Sequence, residues 1–457
     1  SRFPTDQQWA FFPSVSGGWR VSEEAFWKVN PDLFSNLKIR ASYGSLGNGN
    51  VSPYSFLELL SISTSGRVLN GLKNKYTSAP AVMPDGLTWE TATTTDVGLD
   101  FGMLNNRLQF NGDYYIRKTT DMYTVGETLP DVFGASSPKG NYADMTTKGW
   151  EITLTWRDQF TLAEKPFNYE IRGTLSDYIS TIDRYNNQTG NLDDYYAGKR
   201  VGEIWGYVTE GLFKDQADID SHADQTLIQS SSKRITYPGD VKIKDLNGDH
   251  VIDYGNNTVD DHGDKTVIGN ALPRYAYSIN LSGDWNNFFL SAFFQGVGKQ
   301  DWYPSSECIF WGQYNRPYNN MPTWHQGNYW TEDNTDAYLP RYAGYNASLK
   351  STPQTRYLQN VAYIRLKNLQ FGYTLPQPIV SKAKLQNVRV YISAENLWCW
   401  SPLYKHTRDL DVTNIYGSDP DLTDADMSSG LNGNRGSGDG NSYPQMKSVS
   451  LGLSVTF

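Results

Sequence analysis

The stretch Asp245-Leu246-Asn247-Gly248-Asp249-His250-Val251-Ile252-Asp253 puts side-chain oxygens at its first, third, fifth and ninth positions, with the Val251 carbonyl available at the seventh. EF-hand-like loops hold calcium with this spacing, because a hard cation collects oxygen ligands. The candidate ligand set is therefore Asp245, Asn247, Asp249, Val251 and Asp253, and Ca2+ is the one cofactor the chain could be expected to bind. Two departures weigh against it. His250 holds the sixth position, where glycine makes the sharp turn, and Asn256 at the twelfth cannot ligate as a bidentate carboxylate. The competing reading is that Asp and Asn simply cap turns in a solvated loop.

A second polar stretch is crowded with rings: Trp302, Trp311, Tyr314, Tyr318, Trp324, Tyr329 and Trp330, mixed with Gln313, Asn315 and His325. Flat rings beside amides suit stacking on sugars or packing a peptide, which makes this a candidate substrate or partner loop. The same residues could form the loop's own core or a protein interface, and that reading is favoured. Catalysis has little to stand on. His222, His250, His262, His325 and His406 show no i, i+4 pairing, and neither a G-x-S-x-G nor a P-loop string occurs. Asp260, Asp261 and Asp264 could be imagined as a hydrolase pair, but with 49 acidic residues such coincidences are inevitable, so no enzyme is expected. Cys308 and Cys399 fit neither zinc nor redox spacing and read as isolated thiols. A net charge of −9, concentrated at 193–194, 245–264 and 409–426, argues against nucleic acid as a partner.

The elements that would carry these loops are strands. With 457 residues the chain exceeds the usual single domain, and 14% aromatic content with 40 glycines favours one large all-β body. No apolar run approaches the ~18 residues of a membrane helix, and the mean hydropathy is −0.57. Spanning strands escape such a scan, because they alternate lipid-facing with lumen-facing side chains. Val449, Leu451, Leu453, Val455 and Phe457 alternate with Ser448, Ser450, Gly452, Ser454 and Thr456. The same period of two recurs at Trp150–Trp156, Leu37–Tyr43 and Tyr277–Ser282.

Connections sort by length. Asn105-Asn106 and Asn286-Asn287 mark tight hairpins, and moderate connections are expected at 21–36, 158–166 and 375–387. Long polar stretches lie between them, at 45–86, 118–147, 179–274, 299–356 and 399–445. Strict alternation of short and long connections predicts an antiparallel transmembrane barrel with short periplasmic turns and long extracellular loops. Roughly eleven strands of about 9–11 residues are expected, beginning near 9–20, an odd number that is not a complete single-chain barrel. In Tyr363–Tyr373 the phase changes, from Ile364 and Leu366 to Leu369, Phe371 and Tyr373, which means a β-bulge or a misplaced boundary.

Several strings, in order, resemble SusC/RagA-type TonB-dependent transporters from about Phe11 to Phe457. They are Phe12-Pro13-Ser14-Val15-Ser16-Gly17-Gly18-Trp19-Arg20, Leu37-Lys38-Ile39-Arg40-Ala41-Ser42-Tyr43-Gly44 and Gly47-Asn48, then Leu87-Thr88-Trp89-Glu90 and Lys148-Gly149-Trp150-Glu151. Gly239-Asp240-Val241-Lys242 follows, leading into Asp245-Leu246-Asn247-Gly248-Asp249, with Tyr363-Ile364-Arg365-Leu366-Lys367-Asn368 and Glu395-Asn396-Leu397 near the end. The resemblance implies a plugged barrel of about 22 strands, of which residues 1–457 would be the C-terminal half, the plug domain and first barrel strands lying outside it. It also implies a bacterial outer-membrane location in contact with lipid, TonB acting through the missing N-terminal part, and a SusD-like surface lipoprotein closing over the extracellular loops. Oligosaccharides or oligopeptides are the implied cargo, with no cofactor required. The start at Ser1-Arg2-Phe3-Pro4 fits a fragment boundary. Two rivals remain: a secreted or surface glycan-binding β-sandwich or adhesin without transport, and an extracellular glycoside hydrolase.

Overall fold

Alternating apolar and small polar residues can satisfy a strand only if neighbours line up in the same phase, and in the computed structural model they do so across eleven strands. The structure describes residues 2–58, 60–77, 82–83, 86–126, 132, 137–229, 235–305, 308–314, 319–343, 350, 352–413, 415 and 445–457. The wall of the molecule is one sheet of eleven strands in chain order. These are β1 (Ser14–Arg20), β2 (Phe34–Asn48), β3 (Glu90–Met103), β4 (Leu108–Val125), β5 (Lys139–Leu162) and β6 (Lys165–Arg184). Then follow β7 (Arg274–Trp285), β8 (Phe288–Lys299), β9 (Tyr363–Thr374), β10 (Asn387–Trp400) and β11 (Ser448–Thr456). Every adjacent pair is antiparallel, and β1 and β11 are the two edges.

Register carries one face unbroken through the sheet. Trp19 pairs with Ile39, Ile39 with Leu99, Leu99 with Gly112, Gly112 with Ile152 and Ile152 with Leu175. The row continues through Tyr277, Gly296 and Ile364 to Trp400. A parallel row runs from Trp156 through Ile171, Leu281, Ala292, Leu369 and Ala394 to Val449. These large side chains face outward: Leu154 is 45% exposed and Leu451 78%. On the other face a polar row runs through Lys38, Asp100, Asn111, Thr153, Thr174, Ser278 and Gln295. An apolar surface this extensive is foreign to a water-soluble wall and is what lipid contact requires.

The short connections gather at one end of the sheet: 21–33, 104–107, 163–164, 286–287 and 375–386. Asn286 and Asn287 both take positive φ, 46° and 70°, the backbone of a tight primed hairpin turn. The connection expected at 158–166 is instead the two-residue turn Ala163-Glu164, with φ of 47° and 62°. Strands are also longer than the 9–11 residues expected, with 24 in β5, 20 in β6 and 18 in β4. Beyond the apolar rows these strands run on through Thr, Ser and Asp on both faces, so the hydrophobic alternation stops while the ladder continues. The long stretch expected at 118–147 shrinks accordingly to 126–138, and β1 begins at Ser14 rather than near residue 9. At Lys367 the register slips against both β8 and β10, so the phase change is a bulge. The sandwich architecture is not found, because every other sheet among the described residues has only two strands.

At the opposite end, the described parts of connections 185–273, 300–362 and 401–447 do not hang free. They fold together around one shared core that includes Tyr207, Ile243, Ile252, Trp302, Trp311, Leu339, Tyr357 and Leu403, and form a dome on the sheet. Connection 49–89 is separate, with a small core of Phe3, Val51 and Leu87 and a two-stranded hairpin, Ile62–Leu69 with Leu72–Thr77.

Candidate functional site

The aromatic stretch supplies the dome's centre. Trp302, Trp311 and Tyr314 are sealed from solvent. The Trp311 indole donates to the Pro304 carbonyl at 3.2 Å and the Tyr314 hydroxyl to the Pro340 carbonyl at 2.5 Å, so each buried polar tip is satisfied. His325 is fully buried: Nε2 donates to the Phe310 carbonyl at 2.9 Å, which leaves Nδ1 to accept from the Tyr342 hydroxyl at 2.8 Å. Burial pushes its pKa down to about 4, so the imidazole is a neutral structural group. Trp324 meets Phe310 at 5.0 Å and His325 edge-on at 4.2 Å, while Tyr329 and Trp330 pack on the same cluster from its rim. Tyr318 and Asn315 lie outside the described residues. Of the residues expected to form a substrate or partner loop, Trp302, Trp311 and Tyr314 have no exposed surface and lie in the dome's core, so none of the three presents a ring face to solvent.

The Gly239-Asp240 string is explained by this core. Gly239 has φ of 84°, and a Cβ there would come within 2.5 Å of the Trp330 ring. Asp240 is buried, and Arg341 donates to it at 2.7 Å while stacking over Tyr237, which ties connection 185–273 to 300–362. Burial raises the Asp240 pKa, and Arg341 opposes that shift. Arg365 of the Tyr363–Asn368 string plays the matching role for the last connection: it donates to Asp411 at 2.5 Å, both side chains being almost fully buried. Asp411 also accepts from the Thr413 and Gln445 amides. Cys308 is buried and Cys399 half-buried.

In the Asp-rich loop the oxygens turn toward backbone amides. Asp245 accepts from Gly248 at 2.6 Å and from His250 at 2.9 Å, Asn247 from Asp249 at 3.1 Å, Asp249 from Val251 at 2.8 Å and Asp253 from Gly255 at 2.9 Å. The amides of Gly248 and His250 hold the Asp245 carboxyl below its ordinary range. His250, at the position expected of glycine, has φ of 65°. The residue that the nine-residue spacing misses is Asp264, fully buried, which accepts from Leu246 at 2.7 Å and from Asp253 at 3.0 Å and stitches the two ends of the loop together. Among the described residues no three His, Cys, Asp or Glu side chains converge as metal ligands.

On the polar face of the sheet, charges pair across strands. Arg40 bridges Asp100 and Asp113, each at 2.8 Å, and Asn111 adds a bond to Asp100 at 3.0 Å. Arg157 meets Glu170 at 2.5 Å, and Arg389 lies 4.5 Å over the Phe289 ring. These four residues, with Ser282 and Asp284, line an open cavity of about 860 Å³ toward the short-turn end. Alternation alone placed these residues on one face, but only register reveals which charges meet. The arrangement is a polar wall of paired charges that lines an open cavity.

The family described as TonB dependent receptor-like, beta-barrel, matches residues 1–397. The chain belongs to this family. Over its whole length it is 28% identical to the TonB-dependent receptor P26 of Formosa agariphila, covering 43% of that relative, and 29% identical to receptor P3 of the same organism, again covering 43%. It is 24% identical to the TonB-dependent receptor SusC of Bacteroides thetaiotaomicron, covering 41% of it. The chain thus spans less than half the length of these relatives. Its fold matches the RagAB peptide importer in the open-open state with a TM-score of 0.70 and 19% identity, covering the whole of this chain and 44% of the other. The closed-closed state gives 0.69 with the same identity and coverage. The SusC/RagA resemblance seen in the strings is therefore upheld. In this member of the family the Arg365 string fastens the wall to the dome, and the Gly239 string fastens two of the dome's connections to each other.

Proposed function

We propose that this chain is the C-terminal half of the barrel of a TonB-driven outer-membrane importer of oligosaccharides or oligopeptides. In this reading, strands supplied by the rest of the protein join the β1 and β11 edges and close a barrel of about 22 strands around a plug. The dome of long connections faces the cell exterior and meets a SusD-like surface lipoprotein, and cargo passes along the polar face without any chemical step. The observation that carries the reading is the outward apolar face, continuous in register from Trp19 to Trp400, on a chain of this receptor family. A single-chain adhesin would have no use for that face.

The test is uptake by cells that carry the gene under inducible control. Labelled oligosaccharide or oligopeptide mixtures should enter only when the protein is present in the outer-membrane fraction, and entry should stop when the proton-motive force is dissipated. Uptake unchanged by its loss, or protein recovered in the aqueous fraction without detergent, would defeat the proposal.

A further inference from the structure

Where β6, β7 and β8 meet the dome, a cavity of about 430 Å³ opens between wall and loops. Three cations line it, each fixed by backbone pairing on a different part of the rim. Arg200 is bridged to Thr181 at the end of β6, while Arg274 at the start of β7 and Lys299 at the end of β8 are direct register partners. Arg274 and Lys299 are in phase with Ser278 and Gln295, so both belong to the polar face. Like charges placed opposite each other across a strand pair are destabilising unless something neutralises them.

Neutralisation here is incomplete. Asp177 takes Arg274 in a bidentate pair with both contacts at 2.5 Å. Glu203, the one acidic residue in the lining, is already held by the Arg200 backbone amide at 3.2 Å and by the Tyr196 hydroxyl at 3.1 Å. Among the described residues neither the Arg200 guanidinium nor the Lys299 ammonium has a carboxylate within ion-pair distance. Two exposed cations without carboxylate partners on the lining of one concave cavity raise the local positive potential in a chain whose net charge is −9. Tyr178 adds a ring face beside them.

We propose that this rim is an anion-selective subsite for a carboxylate carried on an oligomeric ligand, bound between Arg200 and Lys299 with its apolar ring or stem against Tyr178. The ligand's role as cargo rests on the importer reading, whereas the binding does not require transport. A carboxylate could belong to a uronic acid unit or to an acidic side chain of a peptide, and the two are separable by experiment.

The intact protein, purified in detergent, is titrated calorimetrically with trigalacturonate, with a neutral trisaccharide, with an aspartate-containing tripeptide and with its asparagine counterpart. The expected result is that an acidic probe binds at least ~10-fold more tightly than its neutral counterpart at low salt, with the advantage shrinking as salt rises. The double variant Arg200→Gln/Lys299→Gln removes that advantage and leaves the neutral probes unchanged. An advantage confined to the uronide or to the peptide identifies the source of the carboxylate. Equal affinity for acidic and neutral probes, or an advantage that survives in a double variant with wild-type thermal unfolding, overturns the subsite. If it is overturned while uptake still depends on the protein, only the subsite falls and the importer reading stands.

Discussion

At the scale of single residues, the informative groups are those buried with one partner and no alternative. His325 is neutral in the folded dome because burial lowers its pKa to about 4. Its unfolded value is near 6.5, so native and unfolded chains bind protons alike above that pH and the stability contribution is complete there. As pH falls from about 6.5 to about 4 only the unfolded chain takes the proton, and up to about 3 kcal/mol of dome stability is lost. Protection factors across 300–343, taken relative to the intrinsic exchange rate at each pH, should fall as pH drops through that window and should lose this pH dependence in His325→Asn. Asp411 makes a second case. Asp411→Ala strands a buried guanidinium, at a cost of about 3–5 kcal/mol, so exchange protection should fall for 401–413 while β1 to β4 stay unaffected. None of this pairing was readable from spacing. Arg365 and Asp411 are 46 positions apart and Arg341 and Asp240 are 101 apart, and only the folded dome brings them together.

At the scale of elements, local chemistry was legible wherever a face had to be buried in lipid and wherever a turn demanded special backbone angles. The Asn-Asn hairpin, the alternation of β11 and the phase change at Lys367 all appear in the structure as the residues require. The polar continuations of β4, β5 and β6 were not legible, because a strand that is polar on both faces has no period to detect. The aromatic stretch was legible as a cluster, with a core or protein interface the favoured reading, but which rings would be sealed was not, since ring content is the same for a ligand platform and for a buried centre. The turn at Asn286 gives an element-scale prediction: Asn286→Val places a β-branched residue at φ 46° and should destabilise the hairpin by about 1–2 kcal/mol. Asn286→Gly should be near neutral, and the midpoint of urea unfolding in detergent checks both.

At the scale of the molecule, the fold is an asymmetric wall: apolar on one side, polar on the other, short-turned at one end and roofed at the other. The dome's own core explains how the described parts of the long connections pack above a sheet that contributes little to burying them. The account depends most on the assignment of the two faces. Single nitroxide labels at Ile152, Thr153 and Leu154 in β5 and at Val449, Ser450, Leu451 and Leu453 in β11, read in reconstituted bilayers, test it directly. Collisions with lipid-soluble oxygen should be high at Ile152, Leu154, Val449, Leu451 and Leu453, and collisions with a water-soluble nickel chelate should be high at Thr153 and Ser450. Uniform access of the aqueous reagent to both sets would contradict a membrane-spanning wall.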